Sequence, residues 1–213
     1  MKTAGFFLTL EGGEGSGKST LSRALCAALK VDGIDVIQTR EPGGTPLAED
    51  VRSLVLMPGH GETWTPMGQA LLMNAARADH LAKLIKPGLK NGAYVICDRF
   101  SDSTLAYQSA KGDVSLDTLE ALESVVLAEC RPDLTVLLDA EPEDLLRRRT
   151  SRGAEDDVFE TEGLEFHRQI RETFLALANR APGRFLVIDA LQPTDKTVSV
   201  VMDKIKARQA HGR

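Results

Sequence analysis

GFFLTLEGGEGSGKST, Gly5 to Thr20, leaves a short apolar run and enters a cluster of glycines that holds one lysine and several hydroxyl side chains. Glycine weakens strands and helix interiors alike, so a cluster this dense needs a use for exposed backbone. Gly12, Gly13, Glu14, Gly15, Ser16, Gly17, Lys18 and Ser19 fit the pattern G-x-x-x-x-G-K-S/T. Glycines let successive backbone N–H groups converge into a concavity that binds an anion. A helix beginning near Gly17 adds unpaired N–H groups and a positive dipole end. Lys18 supplies a mobile charge for the β- and γ-phosphates, and Ser19 a hydroxyl for Mg²⁺. Thr20 follows as an early helix residue. This stretch reads as strand, phosphate loop and helix, and implies a bound nucleotide.

Outward from it, short apolar runs recur at 5–10, 34–39, 93–98, 134–139 and 184–189. They read as buried strands. Helix-like segments separate them, at 18–31, 64–86, 102–110, 115–129, 142–151, 163–180 and 194–208. Strands alternating with helices predict an α/β fold, a parallel sheet covered on both faces. In 64–86, Leu71, Ala75, Ala78, Ala82 and Ile85 form an apolar stripe expected to face the core. Gln69, Met73, Arg77 and His80 fall on the opposite face. One charged segment, RRRTSRGAEDDVFETEG (147–163), reads as a surface flap.

With 213 residues the chain is expected to form one domain, 1–213. Its net charge of −5 argues against a general nucleic-acid binder, which needs a basic face. The three cysteines lack metal-type spacing and read as buried thiols of a reducing compartment. No run has the length of a membrane span, and a cytoplasmic protein is expected.

Two further motifs suggest a second substrate. CDRFSDSTLAYQ, 97–108, follows the third apolar run. It places Asp98 and Arg99 at the carboxyl edge of the sheet, where ligands of open α/β sheets bind. Arg99 is suited to grip a phosphate, and Asp98 to hold a metal-bound water or orient Arg99. Ser103, Thr104, Tyr107 and Gln108 then offer hydroxyls, an amide and a ring suited to a base and sugar. TREPGGT, 39–45, is a turn by composition and carries Arg40 and Glu41. The guanine and switch motifs of a GTPase, N-K-x-D and D-x-x-G, do not occur.

EGGEGSGKST, TREPGGT, AAR (75–77), DRFSDSTLAYQ and RPDLTVLLD (131–139) stand in the order and spacing of bacterial thymidylate kinases. The chain resembles that family from about Leu8 to Pro193. The resemblance implies a P-loop NTPase fold with a five-stranded parallel sheet, a flexible lid and a homodimer with helices 64–86 and 102–110 as its surfaces. It implies transfer of the γ-phosphoryl group of ATP to dTMP, giving dTDP and ADP, with Mg²⁺. By the same resemblance Glu14 approaches the deoxyribose 3′-hydroxyl, and Arg77 and Arg99 serve the acceptor phosphate. Thr104 and Gln108 serve the thymine edge, and Tyr107 fills the place of a ribose 2′-hydroxyl. Arg148 and Arg152 match the lid arginines.

The sequence departs from the family pattern twice. Met73 stands where many relatives have a phenylalanine that stacks on thymine. Asp156-Asp157 stands where the lid often reads D-R. Lys111 lies near a position where relatives carry arginine. Two other readings fit a phosphate loop: a kinase for another monophosphate or a deoxynucleoside, and an ATP-binding regulatory module without phosphotransfer.

Overall fold

The computed structural model describes residues 5–57, 59, 62–150 and 163–210. Five parallel strands form one sheet in the order β2-β3-β1-β4-β5. They are β1 (Phe6–Gly12), β2 (Val36–Arg40), β3 (Tyr94–Asp98), β4 (Leu134–Asp139) and β5 (Phe185–Asp189). The helices are α1 (Lys18–Val31), α2 (Pro46–Leu56), α3 (Pro66–His80), α4 (Lys86–Lys90), α5 (Ser101–Ala110), α6 (Leu116–Leu127), α7 (Pro142–Thr150), α8 (Leu164–Arg180) and α9 (Thr194–Ala210). A π-helical turn, Leu81–Ile85, joins α3 to α4.

β1 is the centre. It pairs with β3 in the register Leu8↔Ile96 and with β4 in the register Leu10↔Val136. Every residue of β1 is buried. Phe6, Leu8 and Leu10 pack with Leu21, Leu25 and Leu29 of α1 and Val201 and Ile205 of α9. Phe7 points to the other face, among Leu81, Ile85 and Phe100. Each such side chain contributes about 1.5–3 kcal/mol when fully buried. Further along that second face β1 turns polar: Thr9 meets Thr135 at 2.9 Å, and Glu11 is buried beneath α5. β2 and β5 lie at the sheet edges and are half exposed, so the expectation of buried strands holds only for the inner three.

Two expectations are corrected and one helix is added. Residues 46–56 form α2, which the helix-like segments did not include; it has Thr45 before it and Pro46 in its first turn. Proline there is pre-set for a helix, because its missing N–H would have no partner anyway. The stripe of α3 is inverted: Leu71, Ala75 and Ala78 are exposed, as is Ala82 beyond them, while Gln69, Asn74, Arg77 and His80 are buried. The buried polar groups find partners inside, which offsets their burial cost. The π turn then presents Leu81 and Ile85 to the core. Helix α5, expected as a subunit surface, is enclosed by α3, α6 and α8 of its own chain.

Candidate active site

The carboxyl edge of the sheet opens into a cavity of about 460 Å³. The loop after β1 forms one side. Gly12 has φ 137°, and a Cβ there would stand 2.4 Å from the Leu138 carbonyl oxygen, so glycine is required. Gly17, at φ 97°, caps α1. Lys18 is buried and folds back over the loop. Its Nζ donates to the carbonyls of Gly12 at 3.0 Å and Gly13 at 2.8 Å, and to Ser16 Oγ at 3.3 Å. Burial, then the Arg99 charge, lowers its pKa to about 8. Gly15, Gly17, Ser19 and Thr20 line the cavity mouth. Ser19 Oγ donates to Asp98 Oδ2 at 2.6 Å. Arg148 of α7 bonds the Ala190 carbonyl at 2.6 Å and stands beside Gly17. Arg152 and most of the lid 147–163 lie outside the described residues.

The opposite side carries the second motif. Arg99 Nη2 donates to Glu14 Oε1 at 2.6 Å and to the Tyr107 hydroxyl at 3.0 Å, and the guanidinium lies over the Tyr107 ring at 4.9 Å. Its Nη1 donates to Gly12 O at 3.2 Å and Ser103 Oγ at 3.1 Å. Tyr107 in turn donates to Glu14 at 2.8 Å. Burial opposes charge on Glu14, but Arg99 and Lys18 outweigh it and lower its pKa to about 2. The phosphate loop and the acceptor motif are thus tied together through Glu14 and Arg99.

Arg77 forms the floor and is 1 % exposed. It donates to Glu41 Oε2 at 2.8 Å and to Thr104 Oγ1 at 2.9 Å, and stacks over Phe100 at 5.2 Å. A second carboxylate, Glu123 of α6, lies 3.6 Å from Nη1. Its Oε1 has no hydrogen-bond partner among the described residues, and burial holds its pKa well above the usual range. His80 bridges Glu41 at 3.0 Å and Thr39 at 2.8 Å. Gln108 donates to Gln69 at 3.4 Å. Met73 and Arg40 also line the cavity, Arg40 tied to Glu49 at 3.0 Å. Lys111 lies outside this lining, over the Phe166 ring at 5.9 Å.

All the substrate residues expected from the sequence therefore line one cavity: Glu14, Arg40, Met73, Arg77, Asp98, Arg99, Ser103, Thr104, Tyr107 and Gln108. Sequence reasoning missed Arg52, which lines the cavity from α2 and donates to the Pro42 carbonyl at 3.0 Å. Recognising Pro46 as a helix start would have brought it into view. It also missed Glu11 and Glu123, whose partners are distant in sequence.

A phosphate loop facing a second polar cavity across the edge of a parallel sheet defines a P-loop phosphotransferase of the nucleotide-kinase class. Comparison with known proteins narrows the class. The thymidylate kinase family model matches residues 10–201. A thymidylate kinase of Caulobacter vibrioides is 48 % identical over 97 % of this chain and 98 % of its own. One from Chromohalobacter salexigens is 47 % identical over 96 % and 95 %. The crystal structure of thymidylate kinase from Ehrlichia chaffeensis superposes with a TM-score of 0.77 at 31 % identity, over 95 % of this chain and 99 % of that one. The chain belongs to the thymidylate kinase family.

Proposed function

We propose that the protein transfers the γ-phosphoryl group of ATP to dTMP, giving dTDP and ADP for dTTP synthesis. The observation that carries this is a single cavity lined by the phosphate loop on one side and by Arg99, Tyr107, Thr104 and Gln108 on the other. Backbone amides of Gly15 to Lys18, at the start of α1, hold the donor phosphates. Lys18 swings from the loop carbonyls onto the β- and γ-phosphates. Arg99 takes the acceptor phosphate. Arg77, which the family resemblance sets on the acceptor phosphate with Arg99, is bonded to Glu41 and Thr104 and so reaches it from the base end, where Thr104, Gln108 and Met73 meet thymine. Tyr107 closes the sugar site against a ribose.

The acceptor phosphate has a second pKa of about 6 and is largely a dianion at pH 7, so it needs no general base. The carboxylates of the cavity suit that: Glu14, Glu41 and Asp98 are each engaged with a donor of the protein. Catalysis is then alignment of two polyanions and neutralisation of the charge on the moving group. Lys18 does this from the loop. Arg148, beside Gly17, and Arg152 do it from the lid, whose closure keeps water from the γ-phosphate.

Ser19 and Asp98 are two hard oxygen donors at the loop mouth, which suits Mg²⁺. Among the described residues no group of three or more histidines, cysteines or carboxylates could hold a metal. A bound Mg²⁺ would therefore complete its shell from phosphate oxygens and water, and would supply charge neutralisation there.

The exposed apolar residues Leu47 and Leu54 of α2 and Leu71 of α3, two helices packed together, support a homodimer through this face. Leu71→Glu should shift the protein to monomer in sedimentation; a parent that is already monomeric at micromolar concentration rules the dimer out. No described helix is long and apolar enough to cross a membrane. Action in the cytoplasm, without nucleic-acid or membrane partners, is part of the same reading.

A coupled ADP-release assay across the common monophosphates tests the assignment. Turnover should peak with dTMP. A peak on any other acceptor, thymidine included, would replace the substrate and leave the phosphate loop standing.

A further inference from the structure

Glu11 is the next-to-last residue of β1, one residue before the phosphate-loop motif begins, and is buried like the rest of that strand. It is 0 % exposed and lines no part of the cavity, so nothing in the reaction described so far uses it. Its two carboxylate oxygens nevertheless reach across the sheet to the acceptor side. Oε1 accepts the Phe100 backbone N–H at 2.9 Å, and Oε2 accepts the Ser103 hydroxyl at 2.5 Å.

Both donors lie just after Arg99 in the chain, and the Arg99 backbone is unusual. Arg99 has φ 66°, a left-handed conformation that side chains other than glycine seldom adopt. Such a residue persists where its surroundings over-determine it. Here the Arg99 N–H donates to the Leu10 carbonyl at 2.9 Å, and the Cys97 thiol donates to the Arg99 carbonyl at 3.0 Å. The Phe100 N–H, next along the chain, is held by Glu11. The side chain is held through the same carboxylate. Ser103 gives its only hydroxyl proton to Glu11, which turns its lone pairs toward Arg99 Nη1 at 3.1 Å.

We propose that Glu11 is a positioning residue for the acceptor arm: it locks the turn at Arg99 and, through Ser103, aims the guanidinium at the acceptor phosphate. The proposal rests on the kinase reading above. Beneath the site a separate bidentate pair, Asp102 with Arg184 at 2.6 and 2.8 Å, already anchors α5 to the sheet. Glu11 adds a second hold at the first turn of α5, next to Arg99.

The test is steady-state kinetics of the parent, Glu11→Gln, Ser103→Ala and the double variant, with dTMP and ATP varied separately. Absence of dTMP turnover in the parent would sink the kinase reading itself and is seen before any variant is compared. Glu11→Gln keeps the shape and the Phe100 bond but leaves the Ser103 proton without an acceptor. It should raise KM for dTMP about tenfold, the cost of one lost hydrogen bond, with KM for ATP within about twofold. The double variant should be no worse than the worse single one, because both cut one chain. Unchanged KM for dTMP, equal rises in both KM values, or additive effects would each overturn the proposal. Should Glu11→Gln not fold, Glu11→Asp decides: a selective rise in KM for dTMP supports the proposal, and parent-like values overturn it.

Discussion

The two walls of the cavity solve opposite problems. The phosphate loop is nearly all backbone: glycines at positive φ, helix N–H groups, and a lysine parked on its own loop carbonyls. The acceptor wall is nearly all side chain, with Arg77 and Arg99 held among Glu41, Glu123, Thr104, Glu14 and Tyr107. A backbone cradle recognises any polyphosphate. A wall of interlocked side chains has a fixed shape, and discrimination between acceptors lives there. The acceptor wall should therefore fail by unfolding when a member is removed, and the donor loop by losing rate.

The largest effect is expected at the floor. Arg77→Ala leaves Glu41 buried without its cation and should cost about 3–5 kcal/mol in denaturant unfolding. Adding Glu41→Gln should recover part of that loss. A variant as stable as the parent would mean that the wall is not interlocked. Lys18→Ala tests the other side. Turnover should fall on the order of 10²–10³-fold while the unfolding midpoint stays near that of the parent. Near-normal turnover would remove Lys18 from the mechanism.

Acid should separate the walls at their junction. The pKa of Glu14 is lowered from 4.5 to about 2 in the folded protein. The folded state thus binds this proton less readily than the unfolded chain does. The stabilisation is fully present above pH 4.5 and is lost as pH falls from 4.5 to about 2. It amounts to on the order of 3 kcal/mol. The stability gap between the parent and Glu14→Gln should close over that window, and a gap independent of pH would break the Glu14–Arg99 link. The smallest effect is expected at Met73, which lines the cavity with a thioether where the family resemblance led to the expectation of a ring. Met73→Phe should lower KM for dTMP about two- to fivefold, the worth of about 0.5–1 kcal/mol of aromatic contact. A rise would place Met73 away from the base.

The difference between the walls also explains what could be read from the sequence. The phosphate loop was legible because its demand for bare backbone leaves a dense local mark, and α1 spans the residues its periodicity predicts. The face of α3 was not. Its burial is decided by Glu41 and Glu123, carried on other elements, so a local apolar stripe pointed the wrong way. The same holds for Glu11, whose partners lie 89 and 92 residues away. The residues expected on the acceptor side line the cavity because the motif that follows β3 places Asp98, Arg99 and Ser103 at the carboxyl edge of the sheet, while Arg77, on a distant helix, was reached through the family resemblance.

The central claim is that donor and acceptor phosphates meet head to head in one cavity. Binding of adenosine joined to thymidine, 5′ to 5′ through a polyphosphate chain, tests it most directly by calorimetry. One molecule should bind per chain, more tightly than ATP or dTMP, and be displaced by either. Displacement by only one of the two nucleotides, or no gain in affinity over the separate ligands, would place the tails in different sites and contradict it.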